Sequence, residues 1–154
     1  MIAVNCSAVA EICRVFSPEM KARNQGRILN IGSVTCFTPT ELGALYEATK
    51  SFIYTLSYAL QYELRPFGVG VTVSCPGSTA TNFAAVSNTK ETLAFKLPGM
   101  VCTPSFVAKE SLRAMFDGEA SVIPHALWAV SGRMCEFIPV SVVQLVANIA
   151  WMET

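Results

Sequence analysis

Two short strand-like runs with one long helical run between them constrain this chain more than any other feature. Arg27-Ile28-Leu29-Asn30-Ile31 and Gly70-Val71-Thr72-Val73-Ser74-Cys75 are brief and β-branched. Each stops at a turn signal, Gly32-Ser33 after the first and Pro76-Gly77 after the second. From about Leu45 to Arg65 apolar residues recur at helical steps until Pro66 and Gly68 end the pattern. A strand, a covering helix and a second strand read as neighbours in a parallel α/β sheet. The first run lacks clean alternation, as expected of a parallel strand covered on both faces. Ser33 and Pro76-Gly77 then lie at strand carboxyl ends, where open parallel sheets bind their ligands.

The remaining segments fit around that unit. Residues 3–23 predict a helix, with Val4, Ala8, Ile12, Val15, Phe16 and Met20 at three- and four-residue steps. Pro18 is expected to kink it or start a new turn, and Lys21, Arg23, Asn24 and Gly26 to close it. Ser33 to Gly43 reads as a loop, and residues 82–102 as irregular or short-helical, a flap over the strand ends. Thr103-Pro104 predicts a capped helix start running through Phe116 to Asp117-Gly118. Ala120 to Ile123 reads as a third strand. An apolar tail over residues 126–154 follows, with helices from Leu127 to Phe137 and Val140 to Trp151 split at Pro139. No linker divides the 154 residues, so a single domain is expected.

Composition narrows the function classes. Hydrophobic residues make up 52% and charged residues 14%, so surplus apolar faces are expected to meet partners or lipid. Lys plus Arg and Asp plus Glu are 11 each, with no basic run, which argues against nucleic acid as a partner. Six scattered cysteines without a Cys-x-x-Cys pair, and one histidine, His125, predict free thiols in a reducing, cytoplasmic setting and no metal site. The apolar opening residues lack a basic start and are interrupted by Glu11 and Arg14, unlike a signal peptide. The tail run from Phe137 to Met152 falls short of the ~20 apolar residues of a membrane span. That leaves a core or interface helix, or docking on a membrane surface.

Chemistry concentrates between Gly32 and Lys50. A hydroxyl at a strand tip, Ser33, is followed by Tyr46 and, four residues later, Lys50. On a helix the i, i+4 spacing puts the phenol and the ammonium on one face. An ammonium there is expected to lower the phenol from its usual value near ~10, giving a proton donor and acceptor usable near neutral pH. Tyr54, Tyr58 and Tyr62 continue the four-residue ladder and are expected to pack.

With Asn5 in the first helix, Ser33, Tyr46-x-x-x-Lys50 and Pro76-Gly77-Ser78-Thr79-Ala80-Thr81 form an ordered set. The set resembles the second half of a short-chain dehydrogenase/reductase, a family of NAD(P)-dependent oxidoreductases. The resemblance implies a Rossmann-like, doubly wound parallel sheet, incomplete at about three strands. It also implies a nicotinamide cofactor, NAD or NADP. Tyr46 would be the acid/base, Lys50 would lower its pKa and hold the nicotinamide ribose, and Ser33 would polarise the carbonyl. Asn5 would anchor a water of the proton relay. Pro76-Gly77 and the backbone near Thr79 would meet the nicotinamide carboxamide, and Thr81 fits the hydroxyl position following that turn. The apolar tail is similar to segments that shape the substrate pocket, which implies a small hydrophobic carbonyl or alcohol.

One departure matters. A pyrophosphate needs a Gly-rich turn between a strand and a helix N-terminus. The single G-x-G, Gly68-Val69-Gly70, precedes a strand instead. Three readings are therefore open. The chain may be read as the catalytic half of an oxidoreductase that is weak or inactive alone. It may instead be a non-catalytic binding or dimerisation partner of a full-length relative, pairing through helices 3–23 and 45–65. The third reading is a membrane-surface protein using its tail.

Overall fold

Three parallel strands in the order β1-β2-β3 carry the fold: Gly26–Ile31 (β1), Val69–Ser74 (β2) and Ser121–Val122 (β3). Gly26 lies opposite Val69 and Ile31 opposite Ser74, while Val73 and Ser74 meet Ser121 and Val122. The structure is a computed structural model that describes residues 1–41, 43–87, 89, 92–96, 98–135 and 137–151, excepting the side chains at 133, 150 and 151. In chain order its helices are α1 (Val9–Ala22), α2 (Ala44–Leu64), α3 (Phe83–Val86), α4 (Leu93–Lys96), α5 (Pro104–Asp117), α6 (Ala126–Cys135) and α7 (Val140–Trp151). A π-helical stretch, Ala3–Ala8, leads directly into α1.

Strand β2 is buried on both faces because alternate side chains meet different helices. Val73 and Cys75 pack with Ile53 of α2 and with Tyr54 and Tyr58 beside it, while Val69 and Val71 pack with Leu64, Leu60 and Met20. On the opposite face Ser74 shares a 2.7 Å hydrogen bond with Ser111 of α5, and the Thr72 hydroxyl donates to the Glu119 carbonyl at 2.6 Å. These pairings let polar side chains sit inside without an unmet hydrogen bond. Tyr54 and Tyr58 stack within the layer, with ring centres 4.8 Å apart, and the Tyr58 hydroxyl meets Ser121 at 2.8 Å. Tyr62 is exposed.

The α/β class and the three parallel strands are those expected from the sequence; several local expectations are corrected. Helix α1 runs through Pro18 without a break. The N–H that Pro18 lacks would have met the carbonyl of Arg14, an exposed residue, where water can serve that carbonyl and the helix can yield to the ring. Asn24, at φ 51°, makes the left-handed exit that Gly26 was expected to supply. Gly26 already belongs to β1, and a Cβ there would come within 2.6 Å of the Met20 side chain. The loop after Gly32 contains a 3₁₀ turn, Val34–Phe37. Segment 78–80 forms a short parallel bridge with Cys102, which pins one end of the stretch read as a flap.

Strand β1 is less covered than expected. Arg27 is exposed and Ile31 retains 50% of its surface. Among the described residues its far edge has no partner strand. The tail forms α6 and α7, split at Pro139 as read, and α7 contributes Val143 and Ala147 to the buried set. No helix among the described residues is long and apolar enough to cross a membrane.

Candidate active site

The carboxyl ends of β1 and β2 converge on one crevice. Val34 N–H donates to the Pro76 carbonyl at 3.1 Å, tying the Ser33 turn to the Pro76-Gly77 turn. Ser33 is buried and caps the 3₁₀ turn, its Oγ accepting from Thr35 N–H at 3.2 Å and from the Thr35 hydroxyl at 3.0 Å. With both lone pairs engaged, the Ser33 hydroxyl has its own hydrogen left to donate.

Helix α2 presents Tyr46 and Lys50 to the same crevice. Tyr46 interacts with the Ser33 hydroxyl, and the Lys50 ammonium lies over the Tyr46 ring, 5.7 Å from its centre. Lys50 Nζ donates to the Ile31 carbonyl at 3.0 Å, on the unpaired edge of β1. The expected depression of the phenol does not follow from this arrangement. Burial pushes Tyr46 above its usual value, with hydrogen bonding from Ser33 opposing the shift. Burial likewise holds the Lys50 ammonium below its usual value, against the neighbouring thiols of Cys75 and Cys36. Those two sulfurs are 3.9 Å apart beneath the site, and contact with Cys75 together with burial pushes the Cys36 thiol well up.

Asn5 reaches the site through a relay of side chains. Its Nδ2 donates to Thr49 Oγ1 at 3.0 Å, and the Thr49 hydroxyl donates to the Tyr46 carbonyl at 2.7 Å. Asn5 sits within the π-helical stretch, a form of backbone frequent at functional sites. Glu47, 6% exposed, accepts from Thr40 N–H at 2.9 Å and from the Thr40 hydroxyl, fastening Thr40 to the first turns of α2.

The second strand end is less uniform. Thr79 turns its hydroxyl back to the Gly77 carbonyl at 3.0 Å, and Thr81 accepts from Phe83 N–H at 3.2 Å. Neither hydroxyl is brought to Tyr46. Instead Phe83 of α3 packs at a tilt against the Tyr46 ring, with centres 5.5 Å apart, so the start of the segment read as a flap touches the site. Phe83, Thr35, Thr49 and Glu47 are the residues around the site that sequence reasoning missed. Only the short Ser33-to-Thr35 spacing offered a local signal. Among the described residues no group of His, Cys, Asp and Glu could hold a metal.

Residues 1–92 match the family model for the short chain dehydrogenase. The chain belongs to the short-chain dehydrogenase/reductase family. As a member of that oxidoreductase family it is similar to mouse 17-beta-hydroxysteroid dehydrogenase type 3, 33% identical over 132 residues. That alignment covers 84% of this chain and 40% of the mouse protein. An uncharacterized oxidoreductase of Staphylococcus epidermidis is 36% identical over 81 residues, covering 53% of this chain and 35% of the relative. Among solved structures, a short-chain dehydrogenase from Sphingobium yanoikuyae in complex with NADPH superposes at a TM-score of 0.71. Its sequence is 29% identical, over 89% of this chain and 54% of that one. The bulky-bulky ketone specific alcohol dehydrogenase of Comamonas testosteroni gives 0.67 and 28%, over 89% and 51%. The chain thus spans less than half the length of those two curated relatives and about half of the two solved structures. The family's Rossmann-like α/β fold is the one seen here.

Proposed function

We propose that this chain carries the proton-transfer machinery of an alcohol–carbonyl interconversion on a small hydrophobic substrate, with a nicotinamide dinucleotide as redox partner. The reading is carried by the convergence of Ser33, Tyr46 and Lys50 beyond the carboxyl end of β1. Ser33, its lone pairs held by Thr35, turns its one O–H from Tyr46 to the substrate oxygen. Tyr46 Oη exchanges a proton with that same oxygen. Phe83, packed against the phenol, limits water at the transfer point.

When bound, NAD or NADP supplies or accepts the hydride. The residues present suit the nicotinamide and ribose end of such a cofactor. Lys50 spends one N–H on Ile31 and keeps two for ribose hydroxyls, with Tyr46 beside it. Pro76, Gly77, Thr79 and Thr81 are the residues we assign to the carboxamide side. Among the described residues Gly43, at the N-cap of α2, is a lone glycine set against the Glu47 carboxylate, which does not suit a pyrophosphate. We therefore infer weak dinucleotide affinity for these 154 residues alone.

The substrate class is supported by a cavity of about 350 Å³ between the Val34–Phe37 turn and helices α6 and α7. Thr35 and Thr38 mark its polar end, and Trp128, Met134, Val143 and Val146 line the rest. Thr35 is one hydrogen bond from Ser33, so a carbonyl held by Ser33 could send an apolar group into this space. Ketone and hydroxysteroid substrates named for two relatives accord with that shape.

The test is deuteride transfer from labelled NADPH and NADH at millimolar concentration to bulky aryl and alkyl ketones, read as label in the product alcohol. Label should appear, half-saturate only at high cofactor concentration, and fall by about 100-fold or more in Tyr46→Phe. Incorporation that does not depend on Tyr46, or none at saturating cofactor, overturns the reading.

A further inference from the structure

Trp128 occupies a boundary that no local pattern announces. A Cβ placed on Gly77 would lie 2.5 Å from indole Cδ2, and nearer still to Cδ1 and Nε1, so the ring rests on the bare Gly77 backbone. The indole N–H donates to the Met100 carbonyl at 2.9 Å, fixing the ring's rotation as well as its height. The same side chain also lines the apolar cavity with Val34, Thr35 and Gly132. Trp128 therefore touches both the cavity and the Pro76-Gly77 turn. A seat without a side chain and a hydrogen bond to the backbone keep the ring from swinging aside.

We propose that Trp128 is a specificity-determining residue that closes one end of the cavity and sets how long an apolar group the site accepts, with Gly77 as its seat. The proposal rests on the cavity being the apolar subsite of the substrate. It assigns Gly77 a steric role independent of any cofactor, since a side chain there would drive the indole into the cavity. The two positions therefore have opposite effects: removing the ring lengthens the space, and adding a methyl beneath it shortens the space.

Binding measured without cofactor separates this idea from the hydride chemistry. Nile red, an uncharged apolar fluorophore, is bound to the whole chain and displaced by phenyl alkyl ketones of increasing chain length. In the wild-type chain displacement should improve with length and then stop at a cutoff. Trp128→Ala should move the cutoff to longer chains, with at least a tenfold gain for ketones beyond it, and Trp128→Phe should move it by less. Gly77→Ala should move it to shorter chains, with a similar loss for the longer ketones and little change for the shortest. Far-ultraviolet circular dichroism and a urea melt select variants that fold, and Trp128→Phe is the mildest of the three. A cutoff unmoved in every folded variant overturns the assignment of Trp128. Failure of the wild-type chain to bind Nile red overturns the cavity as an apolar subsite and the proposal with it. Loss of deuteride transfer in Tyr46→Phe is not affected by either result.

Discussion

Tyr46 illustrates how far single residues could be read in advance. Its spacing from Ser33 and Lys50 was sufficient to name the group, because three side chains on one turn and one helix face are fixed by local geometry. The direction of its titration was not, because burial belongs to the surroundings. Desolvation favours the neutral phenol, whereas the Ser33 hydroxyl favours the phenolate, and burial wins. The sign for stability follows directly. A phenol whose folded pKa lies above its unfolded value contributes stability that is fully present below the unfolded pKa and is lost as pH rises through the folded one. In the unliganded chain, the tyrosinate absorbance of wild type minus that of Tyr46→Phe should therefore titrate above the ~10 of free tyrosine. A midpoint below that value would mean that Lys50, not burial, governs the group. Asn5 was named for a water relay, and its observed partner is the Thr49 hydroxyl, reached across 44 positions of sequence. Glu47 went unnoticed for a related reason: nothing in Tyr46-Glu47-Ala48 tells that its carboxylate is buried under Thr40.

Helix α2 is the element through which the site is assembled. Its first two turns carry Tyr46, Glu47, Thr49 and Lys50, and each is tied to a different neighbour: the Ser33 turn, Thr40, the π-helical stretch and the end of β1. Further along, Ser57 accepts from Asn30 Nδ2 at 2.9 Å and donates to the Ile53 carbonyl at 2.7 Å. Among the described residues the Asn30 side chain has otherwise only the weak Cys13 sulfur, at 3.8 to 3.9 Å. Ser57→Ala should leave that buried amide poorly satisfied and destabilise the chain by about 1–3 kcal/mol in urea unfolding. A change within about 0.5 kcal/mol, the range of an ordinary surface substitution, would show that Asn30 does not depend on this tie. The extent of α2 was legible because Pro66 and Gly68 stop it, and Gly68 does adopt a left-handed φ of 66°. The exit of α1 was misread because Asn24 and Gly26 can both end a helix, and only the packing of Met20 against Gly26 separates their roles.

At the scale of the whole molecule the sheet is asymmetric. Gly32 N–H donates to Ser74, so by alternation Ile28 and Asn30 point their backbone groups at β2, while Arg27, Leu29 and Ile31 point theirs away. Among the described residues the one bond on that outer side is from Lys50 Nζ to the Ile31 carbonyl. Amide hydrogen exchange should follow suit, with Leu29 and Ile31 exchanging at least tenfold faster than Ile28 and Asn30, and the β2 amides slowest. Uniform protection along β1 would mean that its outer edge is covered in solution. The sequence by itself determined the parallel strand–helix–strand unit, the helix caps at Thr103 and Gly68, and the Ser33, Tyr46 and Lys50 constellation. These depend on periodicity, turn chemistry and spacing within one or two elements. Tertiary structure alone decided that burial raises Tyr46, that Phe83 packs against it, that Glu47 is sealed under Thr40, and that Trp128 stands on Gly77 and lines an apolar cavity. Each of these is a contact or a loss of solvent created when distant segments close on one another, and a linear pattern does not record which segments will meet.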